Sequence, residues 1–418
     1  MYDLPSDDAF RPAALQSHLA DPAALQSHLT DSEMQQMQLE GREGLRPPPE
    51  SEMFLRDLAR RRNVMLHPEL GVPVDEEYVK LEKERRVKLA QMRALAKTKT
   101  YSEVLQKVQE TVENERRQMK DKEKFWAKDV TPLRILLVST WRSGSTFLGQ
   151  VLQQHPGVFQ HYEPFSYAGV RQIRSGTEAF QSQQFLHRLL ECRFSGQDTY
   201  LNYTRQHPLD MIGHNKRIWE PCSKMHRVDL CSNETFLTEA CNMFPIQLVK
   251  SVRLRLNLTQ LFLGETRLNA KVVFLIRDPR ATVNSRKSSV RWCDDSPDCS
   301  SADVLCSDLK EDLKVAAALE RLYPTSFTMV RYEDIANDPH TQIKKLFEFL
   351  GMFYSNEMAN FVSEHTESEV EKPWSIARKS AARVSRWKEN LKPEVIDEIE
   401  KACRPVIEKL NYDFVGEK

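Results

Sequence analysis

Four short apolar runs most constrain what this chain can fold into: residues 134–140 (RILLVST), 246–252 (IQLVKSV), 271–277 (KVVFLIR) and 327–332 (FTMVRY). Each is a near-continuous stretch rather than an apolar–polar alternation, which is the pattern of strands buried on both faces. Stretches with helical patterning separate them, for example residues 339–350. Strands that alternate with helices predict an α/β fold, a parallel sheet flanked by helices.

Length and charge bound the rest. The 418 residues suffice for one α/β domain of roughly 250–300 residues with an accessory segment. The 60 basic and 60 acidic residues cancel, so nothing favours bulk nucleic-acid binding. No run of about 18 apolar residues offers a membrane span, and residues 1–11 are too acidic and polar for a signal peptide.

Two features point instead to a secretory compartment. All eight cysteines lie after position 190, in loop-like clusters without a C-x-x-C pair. That spacing disfavours a zinc site and favours disulfides, whose pairing the sequence leaves open. Three N-x-[ST] sequons, at Asn202, Asn233 and Asn257, fall among those cysteines and are candidate glycosylation sites. The missing membrane anchor is then expected to reflect a truncated or alternatively started gene product.

Along the chain, residues 1–74 read as a disordered, low-order tail. It holds a ten-residue tandem duplication, 12–21 and 22–31, too few copies for a solenoid. Residues 75–130 read as a charged helical stem, with Tyr101, Leu105, Val108 and Val112 at helical spacing, and Leu89, Met92 and Ala96 likewise. That stripe is narrow and breaks register, so a homodimer through the stem is an expectation without a secure coiled coil. Residues 131–418, which hold all four apolar runs, are expected to form the main folded domain.

The chemistry begins after the first run, at Trp141-Arg142-Ser143-Gly144-Ser145-Thr146-Phe147. A strand, a tight turn and a helix start aim backbone N–H groups and the helix dipole at one spot, an anion site. Gly144 permits close approach, Ser143, Ser145 and Thr146 add hydroxyls, and Arg142 adds a fixed charge. The loop is not a Walker A motif, because no lysine stands at the helix start. The plainer alternative is an ordinary capped helix. A second strand end carries Arg277-Asp278-Pro279-Arg280, followed by Ser285 and Arg286, suited to another phosphate because arginine makes paired hydrogen bonds. A surface salt-bridge cluster around Asp278 is the alternative there. Two anion sites at separate strand ends imply a donor with phosphates at both ends of a nucleoside.

From about Leu133 to Tyr412 the sequence resembles the sulfotransferases that use 3′-phosphoadenosine 5′-phosphosulfate (PAPS), nearest the Golgi carbohydrate 6-O-sulfotransferases acting on N-acetylglucosamine, galactose or N-acetylgalactosamine. Residues 141–147 look like that family's 5′-phosphosulfate loop, with Arg142 where cytosolic members have lysine. Arg277 to Arg280 with Ser285 and Arg286 looks like its 3′-phosphate motif. Residues 331–334 and 349–351 are similar to its late strand and helix. Arg378-Lys379-Ser380, followed by residues 387–391, resembles its C-terminal donor-binding segment, with Lys388 where arginine is expected.

The resemblance implies transfer of SO₃ from PAPS to a glycan hydroxyl, leaving 3′-phosphoadenosine 5′-phosphate (PAP), in the Golgi lumen. It implies donor contacts from Arg142, Ser143, Gly144, Ser145, Thr146, Phe147, Arg277, Ser285, Arg378 and Ser380. Glu163, which follows the first helix as the base does in related glycan sulfotransferases, is the expected proton acceptor, ahead of His155 and His161. Lys250 and Arg253 are candidates for the glycan or the moving sulfate. No metal is expected, since no ligand cluster is visible and a sulfuryl group carries less charge than a phosphoryl group. The alternatives are a P-loop phosphotransferase, which lacks its lysine and Mg²⁺ ligands here, a cytosolic phenol or steroid sulfotransferase, and an inactive interaction protein working through its helical stem.

Overall fold

The computed structural model describes residues 100–118, 130–289, 292–367 and 380–415, with residues 65–66, 73–74, 84 and 87. The tandem duplication, the 89–96 spacing and Arg378 lie outside the described residues. The chain divides into two compact units, Met1–Arg86 and Val87–Lys418. In the first, Met65–Leu66 pairs antiparallel with Pro73–Val74.

The second unit is built on five strands, β1 (Leu133–Val138), β2 (Val158–Tyr162), β3 (Ile246–Ser251), β4 (Ala270–Ile276) and β5 (Phe327–Arg331). They are ordered β2-β3-β1-β4-β5, and every neighbouring pair is parallel. Four of them coincide with the apolar runs. The fifth, β2, is interrupted in sequence by Gln160 and His161, yet both side chains are buried.

Alternate residues of one strand serve two cores, as a period of two requires. Leu136 and Val138 of β1 join a core with Val249, Val272 and Phe274. Ile135 and Leu137 join the opposite one with Leu248, Val273 and Leu275. Helices close both faces. On the second face lie α2 (Ser145–Gln153) and α10 (Pro339–Leu350). On the first lie α1 (Tyr101–Gln118), α3 (Gly176–Leu190), α4 (Asp198–Gln206), α5 (Pro208–His214), α6 (Lys216–Lys224) and α7 (Glu234–Cys241). It also carries α8 (Pro279–Ser289), α9 (Ala302–Leu322) and α11 (Pro393–Lys409).

Local sequence sets several of these ends. Pro339 opens α10 behind Asp338, whose carboxylate accepts from the Thr341 N–H, and Gly351 closes it in the left-handed region.

The apolar face of α1 meets the domain's own core. Val104, Val108 and Val112 are buried there, and Tyr101 packs edge-on against Phe236 at 5.5 Å. Arg217 of α6 is ion-paired with Glu115 and donates to the carbonyls of Gln153 (2.5 Å) and Gln154 (3.1 Å), at the C-terminal end of α2. The helix is thus part of the same compact unit as the sheet, and the stripe expected to serve self-association is covered within one chain.

All eight cysteines are paired: Cys192–Cys241, Cys222–Cys231, Cys293–Cys299 and Cys306–Cys403. No helix among the described residues is long and apolar enough to cross a membrane.

Candidate active site

All five strands deliver residues to one cleft of about 1020 Å³ at their carboxyl ends. Trp141 to Phe147 follow β1 (apart from Ser143), Glu163 follows β2, Lys250, Val252 and Arg253 close β3, Arg277 follows β4 and Tyr332 follows β5. Strand pairing enforces this, because Val138 lies level with Ser251 on one side and Phe274 on the other. Open parallel sheets bind ligands at this edge.

The loop after β1 is stapled in place by its own hydroxyls. Ser139 donates to the Leu275 carbonyl at 2.6 Å, and Thr140 and Ser143 share a hydrogen bond at 2.8 Å. Ser143 therefore spends its hydroxyl inside the loop rather than in the cleft, which corrects the expectation for that side chain. Ser145 and Thr146 at the start of α2 do line the cleft.

Arg142 sits at φ 69° and Gly144 at φ 92°, both in the left-handed region. A Cβ on Gly144 would come within 2.7 Å of the Tyr332 ring, so only glycine fits. Strain retained at a cleft in this way marks a functional site.

The residues expected to form a second anion site lie beside the first loop. Arg142 Nε donates to Ser285 Oγ at 3.1 Å, and an Arg277 terminal nitrogen donates to the Arg142 carbonyl at 3.0 Å. Helix α8 turns Ala281, Asn284, Ser285 and Ser288 to the cleft, the i, i+3, i+4, i+7 face of a helix. The Arg277 guanidinium lies 4.2 Å over the Tyr332 ring, and its buried Nε has no partner among the described residues. An orphaned buried N–H of this kind suits an incoming anion.

The rest of the motif is a brace rather than a ligand. Arg280 is buried, paired with Asp278 (2.8 Å) and Glu400 of α11 (2.5 Å), and stacked 4.2 Å over Trp387. The Asp278 N–H donates to Glu333, which also accepts from the Tyr412 hydroxyl at 2.6 Å. The Asp278 cluster is thus internal, where a surface salt-bridge cluster was the expected alternative. Arg286 is likewise buried, donating to the carbonyls of Trp141 and Cys299.

At the other end of the cleft Glu163 stands at φ 43°, buried. Its carboxylate accepts from Lys250 Nζ (2.5 Å), an Arg253 terminal nitrogen (2.8 Å) and the Val252 N–H (3.3 Å). Burial alone would raise its pKa, but the two cations and these hydrogen bonds outweigh it and hold the carboxyl below its usual range. Lys250 and Arg253, expected to face a ligand, line the cleft and share this one counterion. His155 and His161 are fully buried away from the cleft, and burial lowers both to about 3. Neither is placed to take a proton from a cleft ligand.

Sequence reasoning missed two groups. Ser380 was foreseen, but Arg383, Arg386 and Asn390 join it on the cleft wall. Tyr203, Asp210 and His214 come from α4 and α5, a region whose helices gave no chemical signal in sequence. Asn202, Asn233 and Asn257 are all exposed. Among the described residues no three His, Cys, Asp or Glu side chains gather as a metal site would need.

A sequence model described as "Sulfotransferase family" matches residues 132–356, more than half of the chain. Carbohydrate sulfotransferase 1 of Mus musculus is 25% identical over 328 residues, 68% of this chain and 80% of that protein. Carbohydrate sulfotransferase 5 of Homo sapiens is 26% identical over 322 residues, 67% of this chain and 77% of that protein. Among solved structures, the sulfotransferase domain of the Synechococcus PCC 7002 olefin synthase is similar at 17% identity and TM-score 0.39, covering 69% of this chain and 98% of that one. Mouse sulfotransferase SULT7A1, solved in complex with PAP, is similar at 16% identity and TM-score 0.33, covering 67% of this chain and 85% of that one.

Proposed function

Because the chain belongs to the sulfotransferase family, we propose that it transfers a sulfuryl group from PAPS to a hydroxyl, O-6 by family resemblance, of a galactose, N-acetylglucosamine or N-acetylgalactosamine residue in a glycan. One observation carries this reading: the β1 loop and the β4 end place two cationic cradles side by side, joined through the Arg142–Ser285 hydrogen bond, while a carboxylate held by two cations stands across the same cleft. The relatives named as carbohydrate sulfotransferases support the glycan acceptor.

Arg142, the amides opening α2, Ser145 and Thr146 hold the 5′-phosphate, and Arg277 with Ser285 holds the 3′-phosphate. Ser380 borders that end, and Arg378 belongs to the same motif. The acceptor oxygen bonds to sulfur as the bond from sulfur to the 5′-phosphate oxygen breaks. Arg142 offsets the charge left on that oxygen, and Glu163 takes the hydroxyl proton. A carboxylate kept ionised by neighbouring cations is always in the accepting form, at the expense of proton affinity. Lys250 and Arg253 orient it and lie where the moving sulfuryl oxygens pass. The four disulfides and three exposed sequons support a secretory, Golgi-type lumen.

The test is sulfate transfer from radiolabelled PAPS to a glycan panel, with PAP affinity measured by calorimetry for wild type, Arg142→Ala and Arg277→Ala. Each loses charge-assisted hydrogen bonds worth roughly 1.5–3 kcal/mol, so PAP should bind about 10–100-fold more weakly. Wild type that binds no PAP and labels no glycan would sink the reading.

A further inference from the structure

Of the large apolar side chains left exposed among the described residues, Trp292 alone borders the cleft. Its side chain is 36% exposed, and no hydrogen bond or ring contact engages the indole among those residues. A single exposed apolar residue is ordinary. This one is set apart by its place on the cleft rim and by the segment that carries it.

The residues that follow hold the indole still. Cys293 and Cys299 are bonded to each other and buried in one cluster with Trp141 and Val252. The Cys299 carbonyl accepts from an Arg286 terminal nitrogen at 2.8 Å, which ties the loop back to α8. The Ser296 hydroxyl donates to the Val170 carbonyl. The Asp298 carboxylate accepts from the Gln172 N–H and from an Arg174 terminal nitrogen, each at 2.6 Å. An aromatic side chain fixed in advance loses little freedom when a ligand covers it.

These anchors also place Trp292 at the Glu163 end of the cleft. Val252, in the cluster with both cysteines, donates its N–H to Glu163 at 3.3 Å. The Arg253 guanidinium, paired with Glu163, lies 5.7 Å from the centroid of the Trp141 ring. Its Nε donates to the Gly169 carbonyl at 2.7 Å, and Gly169 and Val170 both border the cleft. The donor end has aromatic faces of its own in Phe147 and Tyr332. Arginines along the cleft suit the donor's phosphates, whereas an indole face suits C–H groups. A hexopyranose carries its hydroxyls around its rim and presents C–H groups on a face, which packs against a flat aromatic ring.

We infer that Trp292 is the platform for the acceptor sugar, its indole covering one face of the pyranose ring so that the reacting hydroxyl turns toward Glu163. This rests on the sulfotransferase reading of the cleft. Trp292 binds and orients the acceptor and takes no part in proton transfer.

The experiment measures transfer from PAPS to oligo-N-acetyllactosamine and to chondroitin by wild type, Trp292→Ala and Trp292→Phe. PAP affinity by calorimetry, melting temperature and tryptophan fluorescence are measured on each. For the chain that wild type labels better, Trp292→Ala should raise the acceptor KM about tenfold or more. PAP affinity and melting temperature should not change, and Trp292→Phe should recover part of the loss. The same chain added to PAP-loaded wild type should alter the tryptophan emission, and Trp292→Phe should abolish that response.

An unchanged acceptor KM in Trp292→Ala overturns the platform while the sulfotransferase reading stands. Weaker PAP binding with that KM unchanged also overturns it and gives the indole to the donor's adenine. PAP binding with transfer to neither chain removes the sugar platform and leaves the donor site. Failure to bind PAP removes the underlying reading, and the platform with it.

Discussion

Arg142, Gly144 and Glu163 share a backbone conformation that side chains seldom tolerate, with φ of 69°, 92° and 43°. At Gly144 the cause is plain, since a methyl group would press into Tyr332, the ring beneath Arg277. Gly144→Ala should therefore shift the loop and weaken PAP binding about tenfold or more, as expected when ~1–3 kcal/mol of strain must be relieved. Unchanged affinity by calorimetry would show that the loop adapts. Glu163→Gln leaves Lys250 and Arg253 buried without their shared counterion, a loss of about 3–5 kcal/mol by denaturant titration. Its pH dependence has a fixed sign. The folded carboxyl titrates below its ordinary value of 4.5, so the stability it contributes is complete above that value and disappears as pH falls through the lower, folded one. The gap between wild type and Glu163→Gln should thus close only in acid below 4.5. That Arg142, Arg277 and Ser285 would border one cleft could be read from sequence, because the first two follow strand ends and the third lies on the helix that follows the second of those strands. The place of Ser143 could not be read, since its hydroxyl could as well turn inward to Thr140 as outward.

Helix α1 shows what element-scale packing adds to sequence pattern. The valines at 104, 108 and 112 form a narrow stripe among charged residues, which in sequence could equally face a partner or a core. Tertiary packing decides it, with those side chains against α6 and α7. Val108→Asp should consequently unseat the helix at a cost of several kcal/mol, read as a lower melting temperature and a protease-sensitive 100–118 segment. A Val108→Asp protein that melts like wild type would place the helix outside the stability of the fold. Strand β2 was missed for a related reason. Gln160 and His161 break its apolar run, and only the sheet reveals that the Gln160 carbonyl accepts from Asn215 and that the His161 ring stacks on Phe194. The short helices α4 and α5 had even less to show. Tyr203, Asp210 and His214 stand at i, i+7 and i+11, but they belong to two helices separated at His207–Pro208, so only the turn between those helices decides where they point.

At the scale of the whole molecule, the donor cleft is finished by residues distant in sequence. Arg280, just past β4, is held by Glu400 and Trp387, and Cys306–Cys403 ties α9 to α11 across a separation of 97 residues. Replacing Cys403 with serine should cost about 2–5 kcal/mol and weaken PAP binding with it, because the same helix carries Glu400. Loss of stability with PAP affinity intact would uncouple that brace from the donor site. This closure also sets an order of events at the ribosome. The strands, the β1 loop and α8 can emerge and pair in sequence, but Arg280 has Asp278 alone as its counterion, without Glu400 or the Trp387 ring, until residues 387–403 have been synthesised. A nascent chain stalled before that point would hold its sheet without the Glu400 and Trp387 side of the brace, so the wall of the cleft is finished only when the last helix is made and joined through Cys306–Cys403.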